Sequence, residues 1–240
     1  MKKIALVTGG TSGIGLATVE ALHRRGYVVA FTSSKSVAAG EQIAGQDRES
    51  LRYLQCDVTD KEQLTAVKAT LVEHYGRLDL LVNNAGYTEV VPHSNFDGAT
   101  DELWMKIFTT NVMGTWWAST LFYDLLKVEL GAIVNITSIA GIRPIGSSIP
   151  YSVSKAALNQ MTRLLAASME NVRVNAVAPG LIDTPWTESW DQLRENVRKV
   201  APLHRSGTPD DIAQVVVSVA EATYLTGEVI AVDGGLTLKV

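Results

Sequence analysis

The chain has 240 residues, 46% of them hydrophobic and 19% charged, with a net charge of -4. That is enough apolar material for one large α/β core, and the acidic balance argues against a nucleic-acid partner, whose binding needs a basic face. Cys56 is the one cysteine, which excludes an internal disulfide and a cysteine-built zinc site, and His23, His74, His93 and His204 lie far apart with no metal-ligand spacing.

Met1-Lys2-Lys3 leads into an apolar run too brief for a signal peptide or a membrane span, so a cytoplasmic enzyme is the expectation. That run, Ile4 to Thr8, reads as a strand, and Gly9, Gly13 and Gly15 then open an amphipathic helix that Gly26 ends. Glycines let a backbone turn tightly and approach a phosphate, and free amides at a helix start attract negative charge. The spacing Gly9-x-x-x-Gly13-x-Gly15 is not the common G-x-G-x-x-G, and an ordinary strand-to-helix turn is the plainer reading of this segment alone.

Tyr27 to Phe31 form a second, almost continuously apolar strand, as in a parallel sheet covered on both faces. Thr32 to Lys35 are expected in the following loop, then a helix to about Gly45, a third strand Leu51 to Cys56, a helix Lys61 to Tyr75 and a fourth strand Leu78 to Val82. Asn83-Asn84-Ala85-Gly86 follows, suited to hold strand ends or a ligand, or to form a simple turn. Thr100 is a plausible N-cap for one long helix from Asp101 to about Val128. Next come a fifth strand, Ala132 to Thr137, a helix from Tyr151 to about Met169 after Pro150, and a sixth strand, Val172 to Ala178. A polar, tryptophan-bearing segment at about 181–205 reads as an insertion above the sheet. Pro209 starts a last helix and Glu228 to Val232 a last strand. Strand and helix alternate steadily with no linker, so the chain is expected to be one α/β domain, 1–240, with a doubly wound, mostly parallel seven-stranded sheet and helices on both faces.

Tyr151 and Lys155 are four residues apart, on one helix face. An ammonium near a phenol favours phenolate, lowering its pKa toward working pH, and a tuned tyrosine can exchange a proton with a substrate oxygen. Ser138 directly follows the fifth strand, at the edge where open α/β sheets bind ligands, and could polarise a carbonyl or merely form a turn. Asn111 interrupts an apolar helical stretch, so its amide either ties a neighbouring loop or holds a water beside the lysine.

These residues, in order, resemble the short-chain dehydrogenase/reductase family in its short single-domain branch, over essentially the whole chain. The matching segments are Thr8 to Gly15, Asp57-Val58, Asn83 to Gly86, Asn111, Ser138, Tyr151 with Lys155, Arg173-Val174-Asn175, Pro179-Gly180 with Thr184, and Val232 to Gly235. The resemblance implies a Rossmann-like fold and an oxidoreductase that interconverts carbonyl and alcohol. It makes Tyr151 the general acid/base, Lys155 its pKa-lowering partner and ribose ligand, Ser138 the residue that orients the substrate oxygen, and Asn111 the holder of a relay water. Pyrophosphate would lie on Gly9, Thr11, Ser12, Gly13, Ile14 and Gly15. Adenine would meet Asp57 and Val58, with its ribose bordered by Asn84, Ala85 and Gly86. The carboxamide would meet Ile182 and Thr184 beyond Pro179 and Gly180. It also implies a homo-oligomer, a tetramer or dimer, built on the helices that carry Asn111 and Tyr151.

An aspartate at the end of the second strand would favour NAD by bonding both ribose hydroxyls. Thr32-Ser33-Ser34-Lys35 stands there instead, which points to NADP(H), with NAD(H) also admissible, although Ser12 supplies no base in the glycine turn. Substrate contacts are expected from Ile139, Arg143 and Ile145, from Tyr87 to His93, and from Trp186 and Trp190 in a lid over 181–205. His93 reads as a loop residue rather than an acid or base. Candidate substrates are a 3-oxoacyl thioester, a small ketone, or a sugar or polyol. A non-catalytic NADP(H)-binding sensor with the same fold is the competing reading.

Overall fold

The computed structural model describes residues 2–239. Seven strands, β1 (Ile4–Val7), β2 (Val28–Ser33), β3 (Leu51–Gln55), β4 (Leu80–Asn83), β5 (Ala132–Ile136), β6 (Arg173–Pro179) and β7 (Val229–Val232), form one sheet in the order β3-β2-β1-β4-β5-β6-β7. Every neighbouring pair is parallel. The helices are α1 (Gly13–Arg24), α2 (Val37–Ala44), α3 (Lys61–Tyr75), α4 (Asp101–Phe108), α5 (Gly114–Leu121), α6 (Tyr123–Leu126), α7 (Ile149–Ser168), α8 (Asp191–Val200) and α9 (Pro209–Glu221).

β1 shows why the strands read as unbroken apolar runs. Ala5 and Val7 pack with Val19 and Leu22 of α1 and Ile212 and Val216 of α9, while Ile4 and Leu6 face Leu64, Val67 and Leu71 of α3 and Ala118 of α5. Both faces are covered, so alternation of side-chain direction brings no alternation of polarity. Leu71, fully buried in the second layer, is worth roughly 2–5 kcal/mol by the usual cost of truncating such a side chain to alanine. From β1 the chain winds outward through β2 to β3, then crosses back to β4 on the other side of β1. The connections leave β1 and β4 in opposite directions, which opens a crevice at their carboxyl ends.

Polar residues at element ends fix this frame. Asp60 caps α3 by accepting from Gln63 N at 3.1 Å, and Thr208 and Asp211 form a reciprocal capping box at α9. Arg173 donates to the Val219, Ala220 and Ala222 carbonyls at the last turn of α9, where a cation meets the negative end of the helix. A buried chain of side chains joins β4 and β5 to the helices: Asn83 Nδ2 donates to Ser119 and Asn135, and Asn135 Nδ2 to Thr162. Asn83 therefore belongs to the end of β4, not to the loop after it.

Two further sequence expectations are corrected. The helix expected from 101 to about 128 is divided: α4 gives way to a π turn over Thr109–Met113, then α5, a break at Phe122, α6 and a 3₁₀ turn. The wider turn places one extra residue in the coil, and Asn111, at its centre, is turned fully inward. Thr115 Oγ1 binds the Asn111 carbonyl at 2.8 Å. β2 also runs through Thr32 and Ser33, because both keep ladder pairing with Leu54 and Gln55 of β3.

Candidate active site

A cleft of about 1370 Å³ runs along the carboxyl edge of the sheet, from the end of β2 to α8. Its floor at one end is the glycine turn. Gly13 has φ +52, and a Cβ on Gly15 would lie 2.1 Å from the Gly9 carbonyl oxygen, so the turn can be this tight only without side chains. Ser12 stands at the N-cap of α1 without a side-chain cap bond, and no acidic residue occupies the first turn, so the opening amides are left for an anion. Asn84 secures the turn from the neighbouring strand, donating to the Thr8 and Gly9 carbonyls at 3.0 and 2.9 Å.

Thr11, Ser12, Ile14, Ser33, Ser34, Lys35, Asp57, Val58, Asn84, Ala85 and Gly86 all line this end, as the sequence led us to expect. Asp57 is the one acidic lining residue among those described, and its Oδ1 is engaged by Thr59 N and Oγ1 at 2.9 and 2.7 Å. Pro179, Gly180, Ile182 and Thr184 line the middle of the cleft beyond β6. These residues fit a phosphorylated dinucleotide: uncapped amides and glycine clearance for a pyrophosphate, two hydroxyls and an ammonium at the tip of β2 for a further anionic group.

Tyr151, Lys155 and Ser138 meet at the centre. Ser148 caps α7, accepting from Tyr151 N at 3.4 Å, with Pro150 in the first turn, so Tyr151 sits at the mouth of the helix and Lys155 one turn in. Lys155 Nζ donates to the Ile136 carbonyl at 2.9 Å and lies 5.6 Å from the centre of the Tyr151 ring. Ser138 extends from β5 and caps the short turn after it, its Oγ accepting from Ala140 N at 3.1 Å. Burial pushes the Tyr151 phenol up to about 12, a rise the Ser138 hydroxyl partly opposes. Burial alone pushes the Lys155 ammonium down to about 8. Removed from water, both groups are held toward their neutral forms in the protein by itself.

Asn111 takes the loop-tying one of its two expected roles, while Thr32 and Arg143 are placed differently from the sequence expectation. Asn111 lies behind the cleft wall, with Oδ1 accepting from Tyr87 N at 2.7 Å and Nδ2 donating to the Tyr87 carbonyl and Ser154 Oγ, both at 3.0 Å. Its side chain ties the 84–87 loop, which sets Gly86 beside Lys155. Thr32 is 1% exposed inside β2 and off the cleft, its carbonyl holding Gly10 N at 2.8 Å. Arg143 is also off the cleft, because its Nε reaches the Thr237 carbonyl at 3.3 Å.

Ile139, Ile145, Trp186 and Trp190 do line the far end. Trp186 meets the Tyr151 ring edge-on at 6.5 Å between centroids. Met105, Lys106, Leu193, Asn196, Val197 and Val200 also line the cleft and were missed from sequence. The signal existed for α8: Leu193, Val197 and Val200 recur at helical spacing inside a stretch that otherwise reads as polar. Nothing local marks Met105 and Lys106, which reach the cleft from α4 only through the fold.

The comparisons agree with this geometry. A family model described as enoyl-(acyl carrier protein) reductase matches residues 9–237. The chain is 47% identical over 240 residues to a Streptomyces violaceoruber protein named ketoacyl reductase 2 of the granaticin polyketide synthase, covering 98% of this chain and 96% of that one. It is 36% identical over 248 residues to the 3-oxoacyl-[acyl-carrier-protein] reductase FabG of Thermotoga maritima, covering 98% of both. The solved structure of ElxO with NADP bound superposes with a TM-score of 0.90 at 30% identity, covering 99% of this chain and all of that one. The chain belongs to the short-chain dehydrogenase/reductase family and is an oxidoreductase acting on the carbonyl–alcohol pair.

Proposed function

We propose that the protein is an NADP(H)-preferring reductase of ketones, with 3-oxoacyl thioesters as the leading substrate class and Tyr151 as general acid. The observation that carries this reading is the meeting of Tyr151, Lys155 and Ser138 at the middle of one cleft. A bound nicotinamide supplies or accepts the hydride. The residues of the chain do the rest. Ser138 and Tyr151 hold the substrate oxygen, and Tyr151 gives it a proton as charge develops there. Lys155 stabilises the phenolate left behind and, with its other donors, binds a ribose. Asn111 acts through the Tyr87 backbone as a positioning residue rather than by touching substrate. Gly9, Gly13 and Gly15 with the α1 amides hold the pyrophosphate, and Ser33, Ser34 and Lys35 favour a 2′-phosphate.

The thioester class is supported by the names of the relatives at 47% and 36% identity. Segment 181–205 serves as a lid of the same domain, with Trp186 and Trp190 on the substrate. Among the described residues no helix is long and apolar enough to cross a membrane, and the reading places the enzyme in the cytoplasm. Exposed Met113 and Trp116 near α5, and Val153 and Leu164 on α7, supply an apolar face for a homo-oligomer.

The test is Tyr151→Phe. Turnover of a 3-oxoacyl thioester with NADPH should fall at least roughly a hundredfold, the scale of general acid–base catalysis, with NADPH affinity retained. Undiminished turnover in the variant refutes the assignment, and a wild type that binds NADPH yet reduces no carbonyl would favour a sensor.

A further inference from the structure

On the substrate side of the cleft, most polar side chains already have partners. Lys106 Nζ donates to the Tyr87 hydroxyl at 2.6 Å and pairs with Glu89 at 3.5 Å, and the same hydroxyl donates to Glu89. Thr88 and Ser147 share a hydrogen bond of 2.6 Å, and Gln192 Nε2 reaches Asn196 Oδ1 at 3.4 Å. Among the buried polar side-chain atoms of the described residues, His93 is the one case on this wall without a partner. It lines the cleft, yet its Nε2 is shielded from water and has no hydrogen-bond partner. A buried polar atom without a partner costs free energy, which marks this ring for an explanation.

The shielding is one-sided. Nδ1 is left as the ring nitrogen with access. An orphaned N–H is rarer and costlier than a bare lone pair, so the favoured tautomer keeps the lone pair on Nε2 and the proton on Nδ1. The ring thus presents a donor. It is also held in place, because Val91 N donates to the Ser147 carbonyl at 2.8 Å before it and Asn95 N to the Pro92 carbonyl at 2.8 Å around it. Its neighbours along the wall, Val90, Val91, Pro92 and Met105, are apolar. Among the described residues no carboxylate and no arginine lines this end, so none of them complements a charged substrate group beyond the already paired Lys106.

We infer that His93 is a substrate-recognition residue that donates from Nδ1 to a neutral carbonyl oxygen remote from the carbon being reduced. It selects substrates carrying a second, non-reacting carbonyl, such as a thioester, over plain ketones. The inference rests on the cleft being a ketone-reducing site. The buried, partnerless ring nitrogen is explained as the cost of presenting the other one to the ligand.

Steady-state kinetics of wild type, His93→Leu and His93→Asn on two probes test it. One probe is the 3-oxobutanoyl thioester of N-acetylcysteamine, the other 2-octanone, both with saturating NADPH. His93→Leu should raise KM for the thioester roughly three- to tenfold, the worth of one net hydrogen bond, with kcat nearly constant. Its kcat/KM on 2-octanone should stay within about twofold of wild type, and His93→Asn, which restores a donor near Nδ1, should recover most of the thioester KM. Equal losses on both probes, no loss on either, or an asparagine variant no better than leucine would overturn the inference while leaving the reductase reading intact. A wild type inert on both probes would overturn the two readings together. Should His93→Leu fail to fold, judged by lost NADPH binding, His93→Ala carries the same comparison.

Discussion

The two ends of the cleft are built from different material. The dinucleotide end is made of backbone: the Gly9–Gly15 turn, the opening amides of α1 and the Asn84 clamp on two carbonyls. The substrate end is made of side chains from α4, the 87–93 loop, segment 181–190 and α8. Backbone tolerates almost no substitution, whereas a side-chain wall can be rewritten one residue at a time. One end therefore states a class of ligand, and the other states a choice within a class.

The comparison predicts that the backbone-built end breaks hardest. Gly15→Ala places a Cβ 2.1 Å from the Gly9 oxygen and 2.5 Å from Asn84 Nδ2. Because the obstacle is main chain, about 3 kcal/mol or more should be lost, lowering Tm in a thermal melt by roughly 6–12 °C together with NADPH affinity. An unshifted melt would show that the turn can relax and that its rigidity is overstated.

A smaller effect is expected at the tip of β2, where the same end is finished by side chains. Wild type should use NADPH at least roughly tenfold better than NADH in kcat/KM, and Lys35→Ala should erase most of that ratio, the equivalent of about 1–2 kcal/mol for a charge-assisted contact. Equal use of the two cofactors by wild type would sink the preference.

The substrate end should yield gradually. Arg194 holds segment 181–190 to α8, with Nε on Asp183 at 2.7 Å and Nη2 on the Thr187 carbonyl at 2.6 Å. Arg194→Met should raise KM for the carbonyl substrate about fivefold and KM for NADPH by less, because Ile182 and Thr184 are the residues of the loosened segment that also face the dinucleotide. Parallel rises in both constants would erase the distinction between the two ends.

The smallest effect concerns Lys155, which lies between them. Its ammonium titrates near 8 in the folded chain, below the ordinary value of 10.5. Between those values the unfolded chain binds more protons, so the contribution of this group to stability rises with pH across that window. Measured as Tm of Lys155→Met minus Tm of wild type, the difference should decline from about pH 7.5 to about pH 10. A difference that does not change with pH would place the titration elsewhere.

The strands and most helices were legible because each depends on its own residues. The apolar runs of β1 and β2, the Gly26 stop and the Thr100 cap all carry their signals locally. Tyr151 and Lys155 were legible for the same reason, since one helical turn fixes their separation. The division of the 101–128 helix was not, because propensity sees no difference between an α and a π turn; the inward pull of Asn111 on Tyr87 is a contact across 24 residues. Arg143 and Thr32 look as available in sequence as Lys35 does. Only packing turns the first toward Thr237 and seals the second inside β2.

By itself the sequence determined a doubly wound sheet, a tight glycine turn and a tyrosine–lysine pair, since those are set by short-range periodicity and by where glycine permits the backbone to go. Tertiary structure alone decided that burial holds the phenol and the ammonium away from their ordinary pKa values, that the Asn111 amide binds the Tyr87 backbone rather than any other partner open to it, and that His93 keeps one ring nitrogen without a partner. Each of these depends on desolvation or on contact between segments distant in the chain, and neither quantity exists until the chain has folded.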